Sequence, residues 1–244
     1  MAAMSRRIVV FVIALMLLPL LAGCAHSPPE DPWDPLEPVN RKMHSFNMTM
    51  DRYLLRPVAK GYDKVTPERV QTSVGNFFGN LYEPVTIVNS LLQGKMHRFS
   101  VSLFRFITNT TVGVVGLFDV AGAMGVEDPR EDLGQTLGYW GLGQGVYLEL
   151  PFLGPSTGRD IVGRGGDLFL NPLHYVDSWA VILSLHALRI VDTRAGLLPF
   201  DRVLEQQFDP YVFIRSYYLR SREAAVNDED DAADDEPAAD EMPF

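Results

Sequence analysis

The chain has 244 residues, 47% of them apolar, with a net charge of −10 and a single cysteine. One cysteine excludes an internal disulfide and any Cys-ligated zinc or iron–sulfur site, so stability must come from packing. The charge is unevenly placed. Residues 228–241 hold nine acids and no base, and without them and the two arginines near the start the body carries about −3, with no nucleic-acid footprint.

At the N-terminus, Arg6 and Arg7 precede an uncharged apolar run from Ile8 to Leu18. Eleven residues are too few for a bilayer span, which needs about 20, but they suit a removable export signal. Leu21-Ala22-Gly23-Cys24 follows and resembles a bacterial lipobox. This predicts a signal peptide over 1–23 and a mature chain that starts at a diacylated, N-acylated Cys24. Each buried methylene is worth about 0.8 kcal/mol, so several acyl chains hold the protein stably to a membrane. Ala25, not Asp, after the cysteine favours the outer membrane by resemblance to known lipoproteins. Residues 24–36, with prolines at 28, 29, 32 and 35, read as an extended tether. Trp33 in it suits a membrane interface or a place on the body.

The body follows over 37–222. Val39, Met43, Phe46, Met50 and Leu54 recur at helical spacing, and Pro57 ends or kinks that helix. Thr66-Pro67-Glu68 is a helix start, with Thr66 as the capping hydroxyl. It leads into Val70, Val74, Phe77 and Leu81; Pro84 is expected to break this helix, and a second piece, Val85 to Gln93, to stop at Gly94. From Phe106 to Val126 the only charge is Asp119, yet four glycines, three threonines and Asn109 oppose a simple transmembrane helix. A helical hairpin is expected, either partly buried against lipid or another protein, or the buried core of a soluble domain. The five glycines between 134 and 145 predict turns, and Val146 to Phe152 a short strand or extended loop. Helices are expected at 157–168, 177–192 and 199–222, the last containing an Asp209-Pro210 start. The fold class is therefore mainly α, with a short extended or β-like segment. Residues 223–244 offer almost nothing to bury and read as a disordered acidic tail outside the fold.

One motif points to catalysis. Gly154-Pro155-Ser156-Thr157-Gly158 is a literal G-x-S-x-G between a strand-like and a helix-like run. With Asp160, Asp167 or Asp177 and His174 or His186 it would make a membrane-anchored lipase. That fold needs a multi-stranded sheet with alternating helices, which the pattern lacks, and Ser156 serves equally as a turn and helix-cap residue. The histidines at 26, 44, 97, 174 and 186 show no metal-ligand spacing, so no metal and no cofactor are expected. The glycine cluster lacks a phosphate-binding pattern and suits turns or close helix packing.

Many ordered motifs resemble one family. Asp34-Pro35-Leu36-Glu37-Pro38-Val39-Asn40-Arg41, Phe46-Asn47 and Arg56-Pro57-Val58-Ala59 look like the opening of the MlaA (VacJ) lipoproteins. The stretches 76–84, 105–110, 118–122, 133–138, 150–156, 193–195 and Asp209-Pro210-Tyr211 follow in the family's order. The resemblance implies a ring-like helical, membrane-associated domain in the inner leaflet of the outer membrane, bound to porin trimers. Such a protein removes misplaced phospholipids from the outer leaflet and passes them to a periplasmic carrier, MlaC, without being an enzyme. It also implies that the first helix contributes to the ring and its gating. Asn40, Arg41, Phe46 and Asn47 are the channel or gate residues expected there, and Gly113 and Gly116 those where helices approach closely. Two other readings remain: a lipase using Ser156, and a purely structural envelope lipoprotein.

The anchor is directly testable. Cys24→Ser should leave an uncleaved precursor that takes up no acyl label; normal acyl labelling and outer-membrane fractionation of that variant would sink the assignment.

Overall fold

A computed structural model describes residues 34–229, so the signal peptide, Cys24, Trp33 and the acidic tail from 230 onward lie outside the described residues. The chain begins with α1 (Glu37–Met50), a widened π-helical turn (Asp51–Leu55) and α2 (Arg56–Val65) in continuous succession. The π turn lies just before Pro57, whose missing N–H and ring would disrupt regular helix there. A charge cluster pins it. Asp51 accepts from Arg194 at 2.6 and 2.9 Å, and Arg194 also reaches Asp201 at 2.7 Å.

α3 (Glu68–Leu92) runs straight through Pro84, contrary to expectation. Proline removes one backbone bond, but α4 (Met96–Thr111) packs along α3, and Arg105 of α4 donates to Glu83 beside the proline at 3.1 Å. Tertiary packing therefore carries the helix through. Gly94, at φ +74°, ends it with bonds from Gly94 N to Leu91 O and from Lys95 N to Ser90 O. Thr66 does not cap α3 through its side chain; its carbonyl accepts from Gln71.

The expected hairpin over 106–126 is lopsided, its second arm being a single helical turn. α4 ends at Thr111, and 112–118 form a tight loop in which Val114, Val115 and Gly116 take φ of 53°, 59° and 84°. The loop closes on Gly116 N to Asn109 O and Phe118 N to Gly113 O bonds. Asp119 then caps a single turn, α5 (Val120–Ala123), through Gly122 N.

α6 (Leu133–Tyr139) occupies the glycine-rich stretch where turns were expected. Its glycines permit a close crossing with α7 (Gly158–Asp167): a Cβ on Gly163 would lie 2.3 Å from Gly134 N. Between these helices, β1 (Tyr147–Leu150) pairs antiparallel with β2 (Gly154–Thr157), with Tyr147 opposite Thr157 and Leu150 opposite Gly154. α8 (Trp179–Gly196) follows. The expected 199–222 helix is split into a 3₁₀ turn at Leu198–Phe200, a short α9 (Asp201–Glu205) and α10 (Pro210–Asn227), capped by Asp209. The chain is mainly helical with one small sheet, and among the described residues no helix is long and apolar enough to cross a membrane.

Two expected boundaries shift. Asp34 is not loose tether: its carboxylate accepts from Asn40 at 3.1 Å and from the Tyr211 hydroxyl. At the other end α10 continues to Asn227, past the expected limit at 222, and Asp228 accepts from Lys95 at 2.6 Å and Arg98 at 2.7 Å. Truncation after Arg222 should therefore lower the melting temperature by several degrees, at about 2–4 °C per kcal/mol for a domain of this size. Truncation after Glu229 should leave it unchanged, and equal melting of both forms would show that 223–229 add nothing.

Candidate functional site: a polar cavity in an apolar shell

Burial in this domain is inverted. Among the described residues eight hydrophobic side chains are buried against twenty-one polar or charged ones, while large apolar residues crowd the surface. α4 shows how one sequence does this. Ser102, Arg105 and Asn109 form a buried polar stripe, and Leu103, Phe104 and Ile107 are exposed. A water-soluble helix shows the opposite arrangement. The following loop adds exposed Val112, Val114, Val115 and Phe118, and α8 exposes Trp179, Val181, Leu183 and Ile190. Contiguous apolar surface on this scale marks a protein or membrane interface.

The polar stripes converge on a cavity of about 1110 Å³, walled by α3, α4, α7, α8, α10 and the 128–135 segment. Its charges are built largely as pairs. Arg105 donates to Glu83 at 3.1 Å, to Asp119 at 3.1 Å and to the Val126 carbonyl at 2.8 Å. Arg222 of α10 bridges Asp132 (2.7 and 2.8 Å) and Asp160 (2.9 Å), and Tyr218 donates to Asp160 at 2.7 Å. Asp132 and Thr157 double as the caps of α6 and α7. Two acids remain strained. Burial, with Asp128 nearby, pushes the Glu83 carboxyl up to about 7 despite Arg105. Burial likewise raises Asp167 to about 6, although Leu133 N and Asn89 donate to it.

The expected gate residues lie elsewhere; none of them lines this cavity. Asn40 and Asn47 fasten α1 to the free edge of β1. Asn40 donates to Tyr147 O and accepts from Glu149 N, each at 3.0 Å. Asn47 donates to Leu150 O and accepts from Phe152 N, each at 2.9 Å. The asparagines are seven residues apart, about 10.5 Å along a helix, and the carbonyls they clasp, at Tyr147 and Leu150, are three strand residues apart, about 10 Å; Phe152 N follows in the turn, where φ is +63°. The two rises match, so both clasps close together. Arg41 ties α1 to α10 by donating to Asp209 at 2.8 and 3.2 Å, and stacks over Tyr211. Phe46 packs edge-on against Phe152 at 5.3 Å. Gly116 abuts α3, where a Cβ would lie 2.3 Å from Asn80 Cβ; a Cβ on Gly113 would meet Phe118 O at 2.2 Å.

Ser156 is not on a turn and does not cap a helix. It lies in β2, fully buried, and its Oγ has no hydrogen-bond partner; the capping residue is Thr157. A serine nucleophile needs a base within hydrogen-bond reach, and none is placed here. Glu83, Arg105 and Arg222 are not picked out as site residues in the sequence, and Asp160, Asp167 and His186 enter it only as possible partners of Ser156; all six line the cavity.

The MlaA lipoprotein family model matches residues 32–225. The chain belongs to the MlaA family. Relatives of this family include the intermembrane phospholipid transport system lipoprotein MlaA of Escherichia coli, 38% identical over 85% of each chain. That of Haemophilus influenzae is 33% identical, over 88% of this chain and 89% of its own. An uncharacterised protein of Rickettsia typhi is 39% identical over 80% of this chain and 78% of its own. A solved structure described as the structural basis for maintenance of bacterial outer membrane lipid asymmetry superposes with a TM-score of 0.72. It shares 36% identity and covers 80% of this chain and 99% of that one.

The Glu83 carboxyl gives a pH signature. Its folded value lies above its unfolded one, so the native state holds the proton more tightly, and this share of stability declines as pH rises from about 4.5 to 7. A shift of this size is worth about 3 kcal/mol. Glu83→Gln should gain on the parent chain by that order between pH 4.5 and 8 in chemical denaturation; a difference independent of pH would refute the assignment.

Proposed function

We propose that this chain is the outer-membrane lipoprotein of an intermembrane phospholipid transport system, anchored through Cys24 on the periplasmic side. It takes misplaced phospholipid from the outer leaflet and hands it to a periplasmic carrier of the MlaC type, held in place by a porin trimer. The observation that carries this reading is the charged cavity inside an apolar shell. A phospholipid with about 30 acyl methylenes costs on the order of 20 kcal/mol to bring into water, at about 0.8 kcal/mol each. Its headgroup is costly to bring through hydrocarbon. A polar interior for the headgroup beside an apolar exterior for the chains avoids both penalties.

The apolar 112–118 loop and the outward faces of α4 and α8 are the surfaces that would contact lipid or porin. In this reading the chain supplies a route for the lipid, and direction comes from the carrier and the partners beyond it. Gating belongs to α1. Its clasp on β1 holds Phe46 against Phe152, and movement of α1 would open that side of the domain.

Cells lacking this protein should accumulate phospholipid in the outer leaflet and become sensitive to detergents and bile salts. Gly116→Leu should reproduce the defect while leaving lipidation intact, because its side chain has no space beside Asn80. The measurement is outer-leaflet phospholipid in a deletion strain with and without the restored gene. No difference between the two would defeat transport and leave the structural lipoprotein.

A further inference from the structure

The charges around the cavity are not all spent on one another. Arg105 is held by Glu83 and Asp119, Arg222 by Asp132 and Asp160, Arg130 by Asp128, and Glu131 by Lys95 and Arg98. Arg164 lies at the exposed rim and donates to the Pro155 carbonyl. On α8 the arrangement differs. Arg189 has no carboxylate within ion-pair distance among the described residues, and its guanidinium lies 6.0 Å from the centre of the Phe78 ring. Asp192, one turn further, also lines the cavity and accepts only from the Tyr62 hydroxyl, at 2.8 Å. Asp167 on the α7 wall is held by neutral donors alone.

Among the described residues the cavity thus offers, inside its rim, one cation without a carboxylate and two acids without a cation. Its lining holds five arginines and eight acids, and even with Glu83 partly protonated near neutral pH and Glu131 met by Lys95 and Arg98, acid is in excess. A phosphate finds a partner in Arg189, but a headgroup that is only a phosphate leaves the acids unanswered and is repelled by them. A headgroup carrying an ammonium as well satisfies both. The scale fits: residues three apart on a helix are about 5–6 Å apart at Cβ, comparable with the reach from phosphorus to nitrogen across an ester oxygen and two carbons.

We propose that the cavity selects zwitterionic, amine-bearing phospholipid over anionic phospholipid, with Arg189 contacting the headgroup phosphate and Asp192, supported by Asp167, contacting the ammonium. This rests on the reading of the domain as a phospholipid conduit. Specificity then comes from mismatched charge, as it does where a site rejects the wrong partner by repulsion.

The test uses full-length, lipidated protein in detergent, incubated with vesicles of equimolar phosphatidylethanolamine and phosphatidylglycerol, with retained lipid counted by native mass spectrometry. The expected result is at least a fivefold excess of phosphatidylethanolamine. Arg189→Gln should cut retention of both lipids about tenfold, and Arg189→Lys should restore most of it, which also guards against a Gln variant that fails to fold. Asp192→Asn should move the ratio towards one without reducing total lipid. Equal retention of the two lipids, an excess of phosphatidylglycerol, or an unchanged Arg189→Gln variant would overturn this inference alone. Retention of neither lipid by the unmodified protein would overturn the conduit reading along with it.

Discussion

A charge taken out of water must be met by another charge or by several hydrogen bonds, and in this domain that requirement organises everything else. Arg105 joins α3, α4 and α5 because Glu83 and Asp119 sit on different elements and both need it. Arg222 does the same for α6, α7 and α10 through Asp132 and Asp160. Removing either arginine would strand buried carboxylates, at about 3–5 kcal/mol for a broken buried pair. In a soluble domain such networks are poor value beside an apolar core. Here many of the large apolar side chains lie at the surface, and ionic pairing is much of what remains to hold the helices together.

The same pairs shape what the cavity can do. Anions held in place by arginines are fixed in position and present a preformed polar surface that a guest does not have to organise. The acids lacking cations, and Glu83 with its elevated proton affinity, mark where the pairing falls short. Strain of another kind sits in the 112–118 loop, where two consecutive valines take left-handed backbone angles. Such conformations cost of order 1–3 kcal/mol each and persist only when the surroundings impose them. The backbone bonds that close this loop back onto Asn109 and Thr110 do so, leaving its valines at the surface.

The helices, the small strand at 147–150, the Asp209 cap and the family resemblance were legible in the chain, because periodicity, capping and ordered motifs are local. Pro84 misled for a physical reason: its cost is local, but the packing of α4 along α3 that carries the helix through comes from a separate element of the chain. The glycines between 134 and 145 read as turns or as close helix packing, and at 134 and 138 it is the packing that holds, where α6 lies almost in contact with α7. The site was the least legible part. Asn40, Arg41, Phe46 and Asn47 stand out in the motif at the start of the body, yet they fasten α1 to its neighbours. Nothing in the spacing of Arg105 or Arg222 says that their faces point inward, because an inverted helix has the same period as an ordinary one.

The asparagine clasp behaves like a two-toothed key. Its teeth engage together only because seven helical residues advance as far as three residues of strand. Remove or add one residue between 40 and 47, and the second tooth turns by about 100° and no longer finds its slot. Sliding is opposed as well, since a displacement breaks all four bonds, two of them at the buried atoms Tyr147 O and Glu149 N. An alteration in the length of the first helix between its two asparagines therefore costs the second clasp whole and not by degrees.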